Sequence, residues 1–240
     1  MCKGNLLGVT LAVLLVTTGP TCLADRAPVA RFDLSNPGGA LFGLLPFPND
    51  LFLDEDAHPD VPGLTAYFSV PGAKILHDGL ASADGFGTSA AVFFPVRGSI
   101  SEASLTHSIE PGTPSSVILV DVDRNSPERG MRRRIEVRYD GDARMIVLLP
   151  YPGMPLRPAT TYAALLTTGV MGVDGALTPD EDFLVVRDDL PTDDPLLLRA
   201  KAIYQPVLSF LESAGIVEDR TEIAVASIFT TQTIDRDLVA

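Results

Sequence analysis

Apolar and polar side chains alternate most cleanly over Arg134–Tyr139. Ile135, Val137 and Tyr139 fall on one side, Glu136 and Arg138 on the other. Period two marks a half-buried strand. Asp140-Gly141-Asp142 follows as a turn signal and Met145–Leu149 returns, so the pattern predicts a hairpin over 134–149. Val117–Val122, Tyr162–Thr167, Phe183–Val186 and Ile223–Phe229 read as further strands, and Val173-Asp174-Gly175-Ala176 as a turn. Ala91–Val96 reads as a short buried strand that Pro95 pushes towards a sheet edge. Helical period stands out once. Leu197, Ala200, Tyr204, Leu208 and Leu211 follow three- and four-residue spacing behind an Asp194 cap and Pro195, and Gly215 ends the run. Pro206 inside it predicts a kink or a split.

Two ends of the chain differ from this middle. Lys3 precedes an apolar run, Leu6–Val16, and Cys22-Leu23-Ala24 supplies small residues before a cleavage point. That order predicts a signal peptide over 1–24, too short in its apolar part to span a bilayer. A lipoprotein signal lipidated at Cys22 is the alternative, although Gly19, Pro20 and Thr21 depart from the Leu such a signal carries. Export to the periplasm or medium follows. Residues 25–115 read as a loop-rich flank, with Pro46, Pro48, Pro59, Pro62 and Pro71 punctuating short apolar pieces such as Ala66–Val70. Residues 116–233 read as the β module proper with a helix at about 195–214, and 234–240 as the truncated start of a following element.

Composition narrows the classes. The 240 residues include 46% hydrophobic side chains, 20 Gly, 20 Pro, 2 Cys and no Trp, with net charge −13. A chain this hydrophobic can bury a core. Its acidity argues against a nucleic-acid partner, which needs a basic stripe. Cleavage after Ala24 removes both cysteines and with them disulfide or thiol chemistry. No later stretch is apolar and long enough to cross a membrane.

Residues 155–162, Pro-Leu-Arg-Pro-Ala-Thr-Thr-Tyr, place Leu156, Pro158, Thr160 and Tyr162 at the spacing of a tyrosine corner. In that device the Tyr ring enters the core and its hydroxyl bonds back to the arch joining two sheets. The predicted fold is therefore mostly β: an immunoglobulin-like or fibronectin-like β-sandwich with a loop-rich flank and one kinked helix. The role assigned to these four residues is structural.

A wider pattern resembles the N-terminal region of bacterial extracellular lipases of the virulence-factor type. It is carried by Pro46-Phe47-Pro48-Asn49-Asp50-Leu51-Phe52, His77-Asp78-Gly79, Asp84-Gly85-Phe86-Gly87-Thr88-Ser89 and Ser101-Glu102-Ala103-Ser104-Leu105. The 117–123 strand, the 155–162 arch, Leu166-Thr167-Thr168-Gly169-Val170, Asp174-Gly175 and Phe229-Thr230-Thr231-Gln232 continue it in order. The resemblance implies a β-rich, non-catalytic module preceding an α/β-hydrolase domain, which is then the implied partner. The family's catalytic residues have no counterpart among these positions.

The residues themselves agree. A hydrolase of that fold needs Gly-x-Ser-x-Gly. Ser89 has Gly87 before it but Ala91 after it, and Ser213 has Gly215 after it but Leu211 before it. The histidines number three, His58, His77 and His107. A triad of Ser89, His77 and Asp78 or Asp84 can be written, but no elbow or oxyanion motif supports it. Asp121-Val122-Asp123-Arg124-Asn125 opens like a calcium loop, yet Ser126 stands where Gly is wanted and Arg132 where a bidentate Glu is wanted. Asp54, Glu55, Asp56 and Asp60 read as a solvated acidic loop. Asn49-Asp50 and Asp84-Gly85-Phe86 read as turn and core residues. No catalytic, cofactor or metal residue is assigned. The reading that follows is a non-catalytic accessory module of a secreted lipase-like protein. The alternatives are a secreted ester hydrolase with an unrecognised site and a cell-surface adhesion or carbohydrate-binding module. The lack of Trp and the presence of only 5 Tyr disfavour the adhesion reading, because aromatic stacking supplies sugar affinity.

Overall fold

The structure, a computed structural model, describes residues 27–35, 43–61, 78–79 and 82–234. The signal segment 1–24, Ala66–Val70, His77 and most of 234–240 lie outside the described residues.

The architecture is mostly β. Strands β1 (Val29–Ala30), β2 (Val92–Arg97), β4 (Ile135–Asp140), β5 (Met145–Pro150) and β9 (Thr178–Pro179) form one sheet in the order β4-β5-β2-β1-β9. Strands β3 (Val117–Asp121), β6 (Thr161–Thr167) and β10 (Ile223–Thr230) form a second in the order β10-β6-β3. A small hairpin pairs β7 (Met171–Gly172) with β8 (Gly175–Ala176) across the Val173-Asp174 turn. Both larger sheets contribute to one hydrophobic core that includes Phe94 and Leu148 from the first and Leu119, Leu165 and Phe229 from the second. The arch after β5 carries the chain from one sheet to the other, which gives a sandwich-like layout. Because β1 and β2 belong to the five-stranded sheet, the stretch 25–115 supplies that sheet's middle.

Hairpin β4–β5 pairs Ile135 with Pro150 and Asp140 with Met145. Asp140 Oδ1 accepts from the Asp142 and Ala143 amides, so the turn is held by its own first side chain. Strand β3 is buried along its length although, among the described residues, only β6 flanks it as a strand. Residues 130–133 cover its outer edge: Asp121 N–H donates to Met131 O, and Arg133 N–H to Leu119 O.

Two expectations need correction. Phe183–Val186 is not a strand; it lies in helix α1 (Glu181–Arg187), so the described residues 82–234 hold two α-helices where the sequence predicts one. Asp180 caps the first amide, Glu181 and Asp182 sit in the first turn, and Arg187 in the last, all of which favour helix. Phe183 and Val186 are buried on one face at helical spacing, which outweighs the β propensity of a four-residue run. Pro95 does not lie at a sheet edge either, since β2 is flanked by β5 and β1. The Pro95 carbonyl accepts from Arg31 N–H, so its missing donor faces the same side, just past the end of two-residue β1. In the β1–β2 register Pro95 stands opposite Arg31, so the one ladder bond it cannot give, to Arg31 O, falls where β1 ends.

Helix α2 (Pro195–Ser213) begins at the Asp194 cap, whose side chain accepts from the Leu196 and Leu197 amides. It ends in a Schellman arrangement: Gly215 N–H donates to Glu212 O, Ile216 N–H to Leu211 O, and Gly215 takes φ +66°. Pro206 does not split it. Both Pro206 and Ala202, whose carbonyl loses its helical donor, are exposed, so solvent takes the freed acceptor. Tyr204 on the buried face stacks edge-on with Phe32, centroids 5.5 Å apart, and Phe32 lies 5.2 Å from Phe183. That trio joins the N-terminal segment to both helices.

Candidate functional site

Among the described residues, strand β10 has a strand partner on one side only, β6. Its other edge is a row of backbone groups that must be satisfied or shielded. Three distant segments do this with side chains and short backbone contacts. The Tyr204 hydroxyl donates to Ala226 O at 3.1 Å. Ser227 Oγ donates to Pro48 O. Asp50 accepts from Thr230 N–H at 2.7 Å and from Thr230 Oγ1 at 2.8 Å. Phe86 N–H donates to Thr230 O, and Gln232 N–H returns to Phe86 O. Asp84 completes the row by accepting from Thr233 N–H at 3.0 Å and from its hydroxyl.

The Phe47–Phe52 segment is the strap that reaches between the sheets. Phe47 exchanges backbone hydrogen bonds with Phe93 of β2, and three residues later Asp50 holds β10. The Phe47–Pro48 peptide is cis. Fully buried Asn49 accepts from Leu51 N–H and donates to the Tyr204 hydroxyl at 2.7 Å. Its amide thus caps its own loop, as the turn reading expects, and also pins the strap to α2. Phe47 packs against Phe52 and Phe86, centroids 5.9 and 5.6 Å away, so the strap and the Asp84–Phe86 segment share one apolar cluster.

The arch meets the same end of β10. The Tyr162 ring is fully buried, and its hydroxyl accepts from Arg157 N–H at 3.0 Å, five residues upstream. Leu156 is buried and its amide donates to Thr88 O. Thr160 is buried; its hydroxyl donates to Pro158 O, and its amide donates to Thr231 Oγ1 at 3.0 Å. Thr231 Oγ1 donates in turn to Arg157 O at 2.6 Å. Pro158 is exposed and shapes the bend. Four pieces of the family resemblance, 46–52, 84–89, 155–162 and 229–232, therefore converge on one strand end and spend their polar groups on each other. Tyr162→Phe is expected to cost about 1–2 kcal/mol in chemical denaturation, since the ring stays packed and only the Arg157 amide loses its acceptor.

Burial pushes the Asp50 carboxyl up to about 6, against the opposing pull of its Thr230 hydrogen bonds. A raised native pKa means that the folded chain holds a proton the unfolded chain releases. The contribution is therefore fully present below about pH 4 and is lost as pH rises through 6. Asp50→Asn mimics the protonated carboxyl. The variant is expected to be about 2–3 kcal/mol more stable than wild type at pH 7.5 and equal to it at pH 4, measured by urea midpoints at both values. An equal difference at the two pH values would remove Asp50 as the source.

The remaining candidates disperse. Ser89 and Asp78 are exposed, Asp84 is committed to Thr233, and His77 lies outside the described residues. His58 sits in the acidic loop, whose Asp54 Oδ1 accepts from the Asp56 and His58 amides. The Asp121–Asn125 turn is satisfied without a cation. Asp121 accepts from Ser126 Oγ at 2.6 Å and pairs with Arg133 at 3.5 Å, and Asp123 accepts from the Asn125 and Thr161 amides. Among the described residues no group of three or more His, Cys, Asp or Glu could hold a metal ion.

Sequence reasoning missed Tyr204, Thr230 and Thr231 as partners of the motif residues, because they lie up to 180 positions away. A faint signal existed for Thr231 in the paired threonines of Phe229-Thr230-Thr231-Gln232. No protein-family model matches the chain, and no curated protein matches it.

Proposed function

We propose that this chain is a non-catalytic, exported β module that packs against and positions a lipase-type α/β-hydrolase domain. The observation that carries the reading is the closed end of β10, where the resemblance motifs meet. Asn49, Asp50, Asp84, Thr160 and Thr231 all hold backbone or one another there. Residues that look like chemistry in the sequence act as fasteners in the fold. The last described residues, Thr233 and Ile234, leave from this fastened end, so a domain attached there would join a segment whose Thr233 amide and hydroxyl are held by Asp84. Ile234 is exposed and adds an apolar contact point at the junction.

Two measurements test this. The purified chain is expected to release p-nitrophenol from short-chain esters no faster than buffer does; saturable turnover abolished by Ser89→Ala contradicts the reading. Mixed with an α/β-hydrolase domain of this lipase type, it is expected to raise that domain's thermal midpoint. No shift at saturating chain contradicts the positioning role.

A further inference from the structure

The opposite end of the three-stranded sheet is built differently. Here β3 begins, β6 ends and β10 begins, roughly 20 Å from the fastened end at about 3.3 Å per residue along β6. A cavity of about 490 Å³ opens there, walled by 112–116, 167–169 and 215–218, with Arg132, Glu218 and Glu222 in its lining. That volume suits a small organic ligand.

Arg132 differs from the buried and half-buried arginines that carry a counter-charge. Arg133 pairs with Glu128 and Asp121, Arg187 with Asp188, and Arg220 with Glu212. Among the described residues Arg132 has no carboxylate within ion-pair distance. Its fork is instead aimed by neutral acceptors. Nη1 donates to Thr113 O at 2.9 Å, with longer contacts to Ser108 O and Ser115 Oγ, and Nη2 donates to Ile216 O at 3.3 Å. Five N–H groups are available on a guanidinium. These contacts leave Nε–H and one Nη2–H, the edge that takes a carboxylate side-on, without a partner among the described residues. Burial depresses the Arg132 pKa, as expected for a cation that lacks a counter-charge. His107 adds no charge at neutral pH. Its pKa is lowered first by burial and then by Arg132 and Arg134. The acidic groups in the same lining are Glu218, exposed, and Glu222, half-buried.

We propose that this cavity binds a small zwitterion of the amino-acid class, its carboxylate on the free edge of Arg132 and its ammonium on Glu218 and Glu222. The mixed lining selects against other ligands. A phosphate or dicarboxylate would satisfy Arg132 but bring its second negative charge towards two glutamates. A plain amine would leave the guanidinium unpaired. This site is independent of the hydrolase-positioning role and stands whether or not that role does.

The test is an NMR titration of the whole chain with L-alanine, acetate and methylammonium in parallel. L-alanine is expected to saturate, with shifts confined to amides of 112–118, 167–169 and 215–218. Acetate and methylammonium are expected to bind at least about tenfold more weakly, since each makes half of the charged contacts. Arg132→Lys should weaken L-alanine at least about tenfold, because a point charge replaces an aimed fork. Arg132 also fastens the Thr113 and Ile216 carbonyls, so Glu218→Gln/Glu222→Gln gives a separate arm on the exposed side. That variant should bind acetate and L-alanine equally. The proposal fails if L-alanine does not saturate, if acetate matches it in wild type, or if either variant leaves the preference unchanged.

Discussion

Gly85→Ala is expected to destabilise the chain by at least about 3 kcal/mol and to lower its thermal midpoint by roughly 6–12 °C. Gly85 sits at φ +153°, and a Cβ built on it would meet Gln232 N at 2.8 Å and Thr230 O and the Thr231 carbonyl carbon at 2.9 Å. All three contacts are backbone, so no side chain can swing away. Relief requires the 84–86 segment to part from 230–233. That separation breaks Phe86 N–H to Thr230 O and Gln232 N–H to Phe86 O, and it strains the Asp84 hold on Thr233. Each buried group left unpaired costs about 1–3 kcal/mol. Gly153→Ala is the control. It shares a positive φ, +78°, but nothing lies within 4 Å of its Cβ position, so it should cost only about 1 kcal/mol. Urea melts of the two variants compare crowding with backbone conformation directly. Equal, small losses would show that the 84–86 segment does not bind β10 tightly.

The second large effect is expected at Thr231. Thr231→Val preserves shape but deletes the hydroxyl that accepts from buried Thr160 N–H and donates to Arg157 O. A buried amide then has no acceptor, and the arch carbonyl loses its donor. The expected cost is about 2–4 kcal/mol. Thr231→Ser keeps the hydroxyl and loses one methyl from a site that is 1% exposed, so about 1 kcal/mol is expected. If valine proves as mild as serine in equilibrium denaturation, the hydroxyl is not what joins the arch to β10.

Both variants probe a part of the molecule whose components were visible in the chain and whose assembly was not. Hairpin 134–149 was legible because its alternation, turn and return are local and agree with one another. The α2 start was legible for the same reason: Asp194 and Pro195 act within one turn. Phe183–Val186 misled because four apolar residues carry no period. The decisive signal lay just upstream in Asp180, Glu181 and Asp182, which cap and charge a helix start. Strands β1 and β9 are two residues each and have no periodicity to read; their pairing is imposed by the surrounding sheet. Pro95 was misplaced because an edge was inferred from a missing donor, whereas the donor side happens to fall beyond a two-residue neighbour.

The site shows the same division more sharply. Asn49-Asp50 and Asp84-Gly85-Phe86 read correctly as turn and core residues: Phe86 is buried and Gly85 adopts positive φ. Their other role, fastening an unpaired edge of β10, depends on Thr230, Thr233 and Tyr204, which no local pattern brings near them. The Arg132 cavity was hidden more deeply. In the sequence Arg132 counted only as an objection to a calcium loop. In the fold it lines a cavity, and among the described residues no carboxylate lies within ion-pair distance of it.

Native-state hydrogen exchange at the closed end of β10 tests the account most directly. The amides of Phe86, Thr160, Thr230, Gln232 and Thr233 are each assigned a specific acceptor from a distant segment. All five are expected to exchange only through global unfolding, with free energies matching those of Leu165 in the centre of β6 and with Asp50→Asn leaving that protection intact at neutral pH. Exchange of Thr230, Gln232 and Thr233 at the rate of an exposed loop, while Leu165 stays protected, would mean that the motif residues do not hold the strand and are free for some other task.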